Sequence, residues 1–151
     1  MSGTDPVERQ MVATAAVILG QGDLVDRLSR GLTIASLAGL AGLATLTGFA
    51  AIPTILLLGA ASLVGLIELW FAARVATDAA LFRHLSVTES GPNWTLVDAA
   101  LTALELLPAA KAGRPAGPRI AGAFRLLRYQ TAALIGQFGL IVAGALAGAV
   151  R

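Results

Sequence analysis

The most chemically suggestive feature of the sequence is a carboxylate at the edge of a long uncharged segment. Glu68 follows 37 consecutive residues, Gly31 to Ile67, that carry no charge, and it opens the stretch Glu68-Leu69-Trp70-Phe71-Ala72-Ala73-Arg74-Val75-Ala76-Thr77-Asp78. On a helix beginning at Pro53, Glu68 is ~22 Å along at ~1.5 Å per residue, still inside a hydrocarbon core of ~30 Å. An isolated carboxylate there costs about 2.5–3.5 kcal/mol on insertion scales, so it must be neutralised, paired or wetted. Three chemistries fit. As an interfacial anchor, Glu68 snorkels or is protonated, Trp70 lies among headgroups and Arg74 pairs with Asp78 at helical spacing. As an assembly contact, Glu68 pairs with a partner subunit or with Gln137. As a transport site, it holds a proton or a cation.

Other chemistries find no set of residues to carry them. There is no cysteine, which excludes thiol catalysis and cysteine-ligated metal, and His84 is the only histidine. His84 could ligate only across a symmetric oligomer or together with Glu89; its ordinary role is a polar group on a surface helix. Ser86 stands beside it without an elbow, an oxyanion loop or a placed carboxylate, and Ser29, Ser36, Ser62 and Ser90 have no base nearby. Phosphate loops, dinucleotide fingerprints and metal-ligand spacings are all missing from the sequence. The expectation is no catalytic residue, no cofactor and no metal.

Two further patterns bear on binding. Lys111, Arg114, Arg119, Arg125 and Arg128 lie between Pro108 and Tyr129 with no acid among them. Beside a membrane span they serve as topogenic charge and attract anionic lipid at ~1 kcal/mol each. A nucleic-acid surface is not expected, because Phe124 and Tyr129 are the only aromatics nearby and no binding fold is evident. Small residues recur at packing intervals: Ala35, Ala38, Gly42 and Thr45 in one apolar segment, and Ala132, Gly136, Gly144 and Gly148 in another. Such stripes let helix backbones approach closely, within one chain or between copies.

The elements that must position these groups follow from the distribution of charge. The chain has 151 residues, of which 13% are charged and 56% hydrophobic, with a mean hydropathy of +0.78. A soluble domain carries ~25% charge. Gly31 to Ile67 and the 22 residues Tyr129 to Val150 hold none, so all 20 charges fall on the other 92 residues. The composition excludes disorder, collagen and a disulfide scaffold. Spans are expected at about Gly31 to Gly48, Pro53 to Val75 and Thr131 to Val150, with a tight turn at Gly48-Phe49-Ala50-Ala51-Ile52-Pro53 making the first two an antiparallel hairpin. A soluble protein hiding such a hairpin has precedent in pore-forming toxins, but a domain this small cannot easily enclose three apolar helices.

Amphipathic helices are expected around the spans. Asp5 caps a helix with Pro6 at its first position and Glu8 completing a capping box, and Val7, Met11, Ala15 and Ile18 share a face. After Gly20-Gln21-Gly22, Asp23 caps a second short helix with Leu24, Leu28 and Leu32 aligned, and with Asp23/Arg27 and Asp26/Arg30 at ion-pair spacing. The second span has helical character to Leu85 and stops at Glu89-Ser90-Gly91-Pro92-Asn93-Trp94. Thr95 with Asp98 forms an imperfect capping box for a helix with Val97, Leu101 and Leu104 on one face, ended by Pro108. Ala109 to Pro118 is a Gly/Pro linker, followed by a basic amphipathic helix with Ile120, Phe124 and Leu127 aligned.

The chain therefore divides into an amino-terminal amphipathic segment (1–30), a transmembrane hairpin (31–75), a second amphipathic segment with the basic linker (76–128) and a third span (129–151). By the positive-inside rule, the N-terminus and the middle segment are cytoplasmic and the C-terminus is periplasmic. The start, with Asp5 and Glu8, does not resemble a cleavable signal. The Ala/Gly/Arg-rich, lysine-poor composition suggests a bacterium. The fold expected is an all-α integral membrane protein of the bacterial inner membrane. The role expected is a non-catalytic accessory or scaffold subunit, with other membrane subunits, its own copies and anionic lipids as partners. An oligomeric channel, transporter or membrane-permeabilising protein using Glu68 is the alternative.

Overall fold

The computed structural model describes residues 5–46, 52–88, 91–108 and 111–149. Among them are five helices and no strand: α1 (Pro6–Gly20), α2 (Gly22–Leu46), α3 (Ile52–Val87), α4 (Trp94–Ala103) and α5 (Ala116–Ala149). The expected turn at 48–51, Glu89, Ser90 and the last two residues of the chain lie outside the described residues, as do residues 109–110 of the linker.

Several expected elements are fused. Gly22 starts a helix that continues through Gly31 to Leu46, so the short capped helix and the first apolar segment are one element. A single interior glycine costs only about 1 kcal/mol, too little to break a helix without a proline. The second apolar segment runs past Val75 to Val87, in line with the helical character expected to Leu85 and the stop expected at Glu89, making a helix of 36 residues. The linker ends at Pro115, because Pro118 sits in the first turn of α5, where its missing N–H is tolerated. The basic helix and the third apolar segment are then one helix of 34 residues.

Helix ends and faces also depart from expectation. Asp5 does cap α1, accepting from the Val7 N–H at 2.9 Å. Glu8 does not complete a box there; its carboxylate accepts from Trp94 Nε1 at 2.8 Å. The buried face of α1 is Val12, Ala15, Ala16 and Leu19, whereas Val7 is 69% exposed and Met11 and Ile18 are also exposed. Val7, Met11 and Ile18 instead line an open apolar groove with Ile120 and Phe124. In α4 the cap is Asn93, accepting from the Leu96 N–H at 3.1 Å, which frees Asp98 for another role. That helix ends at Ala103, before Pro108, because Glu105 adopts φ 58°. Leu106 N–H then reaches Leu101 O at 2.9 Å and Glu105 N–H reaches Thr102 O at 3.0 Å, the paired bonds of a Schellman motif.

The chain forms two compact units. The first comprises 1–20 and 75–125, with a core of Val12, Leu19, Val75, Phe82, Leu85 and Ile120. The second comprises 21–74 and 126–151. Its topology is fixed by which residues meet. Gln130 bonds to Gly22 and Gln137 to Ser29, both 108 residues apart, so α2 and α5 run parallel in constant register. Gly39 lies against Leu58 and Gly65 against Thr33, so α3 runs antiparallel to α2; Gly144 against Leu57 and Leu58, and Gly148 near Thr54, give the same direction against α5.

Candidate functional site

The second unit buries a set of mostly uncharged polar side chains and exposes large apolar ones. Ser29, Ser36, Thr54, Ser62, Glu68, Gln130 and Gln137 are all buried, with Glu68, Gln130 and Gln137 at 0% exposure. Ile34, Leu56, Leu63, Ile135, Phe138 and Leu146 are all more than half exposed.

The buried polar groups form a seam joining the helices. Ser29 Oγ donates to Gln137 Oε1 at 2.8 Å, and Gln137 Nε2 donates to Thr33 Oγ1 at 2.8 Å and to Ser29 O at 3.3 Å. Thr33 Oγ1 in turn donates to Ser29 O at 2.8 Å. Seven residues earlier on α5, Gln130 Nε2 donates to Gly22 O at 3.0 Å. Gly65 is where α3 meets this cluster: a side chain there would collide with Thr33 Oγ1 and Gln137 Nε2. Ser36 and Ser62 satisfy their hydroxyls on Leu32 O and Leu58 O of their own helices.

Glu68 is one turn from Gly65 on the same face of α3, and neither of its carboxylate oxygens has a hydrogen-bond partner among the described residues. The register of α3 against α2 sets it level with Arg30, which is within electrostatic reach. Arg30 is held elsewhere, by Asp26 at 2.6 Å. The expected Asp26/Arg30 pair thus forms, whereas Arg27 donates from Nε to the Asp23 backbone carbonyl at 3.2 Å. Arg74 stacks on the Trp70 ring with its guanidinium carbon 4.9 Å from the centroid; Trp70 meets Phe71 edge-on at 5.2 Å, and Phe71 meets Tyr129 at 5.8 Å. Asp78 is half-buried on α3.

The remaining candidates divide between the units. Ala35, Ala38 and Gly136 point outward, Gly42 is half-buried, and Gly144 is buried against Leu57 and Leu58. Lys111, Arg114, Arg125 and Arg128 are exposed. Arg119 is not exposed with them: Nη2 pairs with Asp98 at 2.8 Å, Nε donates to Arg114 O at 2.8 Å, and the guanidinium covers Trp94 at 5.0 Å. Asp98 also accepts from the Gly113 N–H. That backbone donor, then the Arg119 contact, holds its carboxyl below the usual carboxylate range against the opposing effect of burial. Trp94 packs edge-on against Phe82 at 6.2 Å.

Sequence reasoning found Glu68 and Gln137 but not Ser29, Thr33, Gly65 or Gln130. A signal existed: Ser29 and Ser36 are seven apart, as are Gln130 and Gln137, which is one face of each helix over two turns.

The fold is all-helical among the described residues, and α3 and α5 are long and apolar enough, by length and composition, to cross a membrane. No family model matches the chain, and no curated protein or solved structure matches it.

Proposed function

We propose that the chain is a multi-pass protein of the bacterial inner membrane that serves as a non-catalytic accessory or scaffold subunit of a larger membrane assembly. α2, α3 and α5 cross in alternating directions, with the N-terminus cytoplasmic and the C-terminus periplasmic. The observation that carries this reading is the inverted second unit. Among the described residues its buried apolar side chains are Ala61 and Ala72, with Ser29, Gln130 and Gln137 inside and Ile34, Leu63, Ile135 and Phe138 outside, whereas the first unit, which also exposes Leu96 and Leu104, buries Leu19, Phe82, Leu85 and Ile120. In water such an interior offers little apolar burial to drive the helices together. Hydrocarbon around the unit requires none, and it leaves hydrogen bonds and close packing as what holds the helices together.

The role as a subunit is supported by how the polar groups are used. Gln130, Gln137, Ser29 and Thr33 are spent on fixing the helices to one another, while the apolar exterior remains available to the spans of other subunits or of further copies. Lys111, Arg114, Arg125 and Arg128 face anionic headgroups on the cytoplasmic side. Native purification in mild detergent tests this: co-elution with a defined membrane partner is expected, and a reproducible lone monomer contradicts it.

One observation favours a second reading, an oligomeric channel, transporter or permeabilising protein. Glu68 is the carboxylate that the bundle buries without a hydrogen-bond donor, and an ionisable residue at such a place marks an ion or proton path. Glu68→Gln separates the two. Loss of ion or proton flux with assembly intact favours transport, and loss of complex formation favours the scaffold.

A further inference from the structure

In the second unit, an open groove of about 600 Å³ runs between α2 and α5. Its walls are Leu28 and Leu32 on one side and Leu134, Ile135 and Phe138 on the other. Its floor is Gly31, where a side chain would meet nothing within 4 Å, so the groove exists because this position has none. One charged side chain lines it, Arg27, at the end where the charge-free segments begin. Arg27 is exposed, and among the described residues its hydrogen bond leaves from Nε to the Asp23 carbonyl, with no partner there for either terminal nitrogen of the guanidinium. Arg30, one turn on, is different: Asp26 occupies it.

We propose that this groove binds one anionic phospholipid, with an acyl chain along Leu28, Leu134 and Phe138 and the phosphate on Arg27. The proposal rests on the membrane reading above. The polarity of the groove matches that of an anionic amphiphile: a cation at one end, apolar walls for the rest, and an open side toward the surrounding lipid. A guanidinium presents several donors to a phosphate at once, which a zwitterionic headgroup answers less well because its own ammonium opposes the contact. At ~1 kcal/mol for one basic residue near a headgroup, the preference for an anionic lipid is about fivefold.

The test uses the full chain in detergent with equimolar phosphatidylglycerol and phosphatidylcholine as probes, counting retained lipid by native mass spectrometry. One phosphatidylglycerol should be retained with about fivefold preference. Arg27→Gln should bring the two lipids to parity, Arg27→Lys should keep most of the preference, and Gly31→Leu should expel both. The double substitution Lys111→Gln with Arg114→Gln should leave the preference intact, which separates the groove from the basic linker. Undiminished preference in Arg27→Gln, or undiminished retention in Gly31→Leu, overturns the site. Alkaline carbonate extraction of the wild type distinguishes the two levels. If the chain stays in the membrane pellet and the lipid assay fails, only the groove is wrong. If the chain is extracted, the membrane reading falls and the groove with it.

Discussion

In the first unit Phe82, Leu85, Ile120 and Leu19 are buried, the buried carboxylate of Asp98 is met by Gly113 and Arg119, and Lys111, Arg114 and Arg125 lie outside together with Val7, Leu96 and Leu104. In the second, no large apolar side chain among the described residues is buried: Ser29, Gln130 and Gln137 take the inside, the buried carboxylate of Glu68 is met by no donor among those residues, and Ile135 and Phe138 lie outside. Both are helices rich in Ala, Leu and Gly, and both charge-free runs, Gly31 to Ile67 and Tyr129 to Val150, fall in the second. What separates them is where a polar side chain gains by going. In water, apolar groups leave the solvent and polar ones stay; in hydrocarbon, polar groups find one another and apolar ones have no reason to hide.

That contrast can be broken most forcefully with one pair of substitutions of the same residue type. Phe82→Ala should destabilise the first unit by about 3–5 kcal/mol, the usual cost of removing a buried ring. Phe138→Ala, on the exposed face, should change stability in detergent by less than about 0.5 kcal/mol. Segment-resolved hydrogen exchange reads both, and equal effects would erase the distinction between the units. Next in size, Gly65→Ala should cost roughly 2–3 kcal/mol by forcing Thr33 and Gln137 apart. Its expected signature is loss of exchange protection in 21–46 and 126–149, with 6–20 unaffected.

Smaller effects sharpen the account of the first unit. Glu105→Gly should stabilise α4 by about 0.5–1 kcal/mol, because glycine takes the left-handed conformation without the Cβ penalty; a raised melting temperature checks it. A last effect is read in acid and concerns Asp98. Its folded-state carboxyl titrates below its unfolded value of ~3.9, so its contribution is fully present above that value and is lost as pH falls through the lower folded one. Trp94 fluorescence, followed in a Trp70→Phe background, should show an acid transition that Asp98→Asn removes.

The sequence made some of this legible for physical reasons. Asp5-Pro6 announces a helix start because the cap and the fixed φ are local, and charge-free length announces apolar helices because it needs no tertiary knowledge. The face of α1 was not legible. Val7, Met11 and Ile18 are as regularly spaced as Val12, Ala16 and Leu19, which are buried, and periodicity does not say which of two apolar faces meets a neighbour. Nor was the role of Asp98, since Thr95 and Asn93 are both competent caps and only the position of Gly113 decides. In the second unit the informative pattern is polar. Where both faces of a helix are apolar, hydrophobic periodicity carries no information, and the seven-residue recurrence of Ser29 with Ser36 and of Gln130 with Gln137 is what marks the inside.

The claim that lipid surrounds the second unit can be measured directly, because the chain has no cysteine and accepts a single spin label cleanly. A label on Ile135→Cys in reconstituted bilayers should collide readily with oxygen and hardly with a water-soluble nickel chelate, while a label on Lys111→Cys should do the reverse. A label at position 135 as accessible to the chelate as one at position 111 would contradict the membrane embedding on which the proposed function stands.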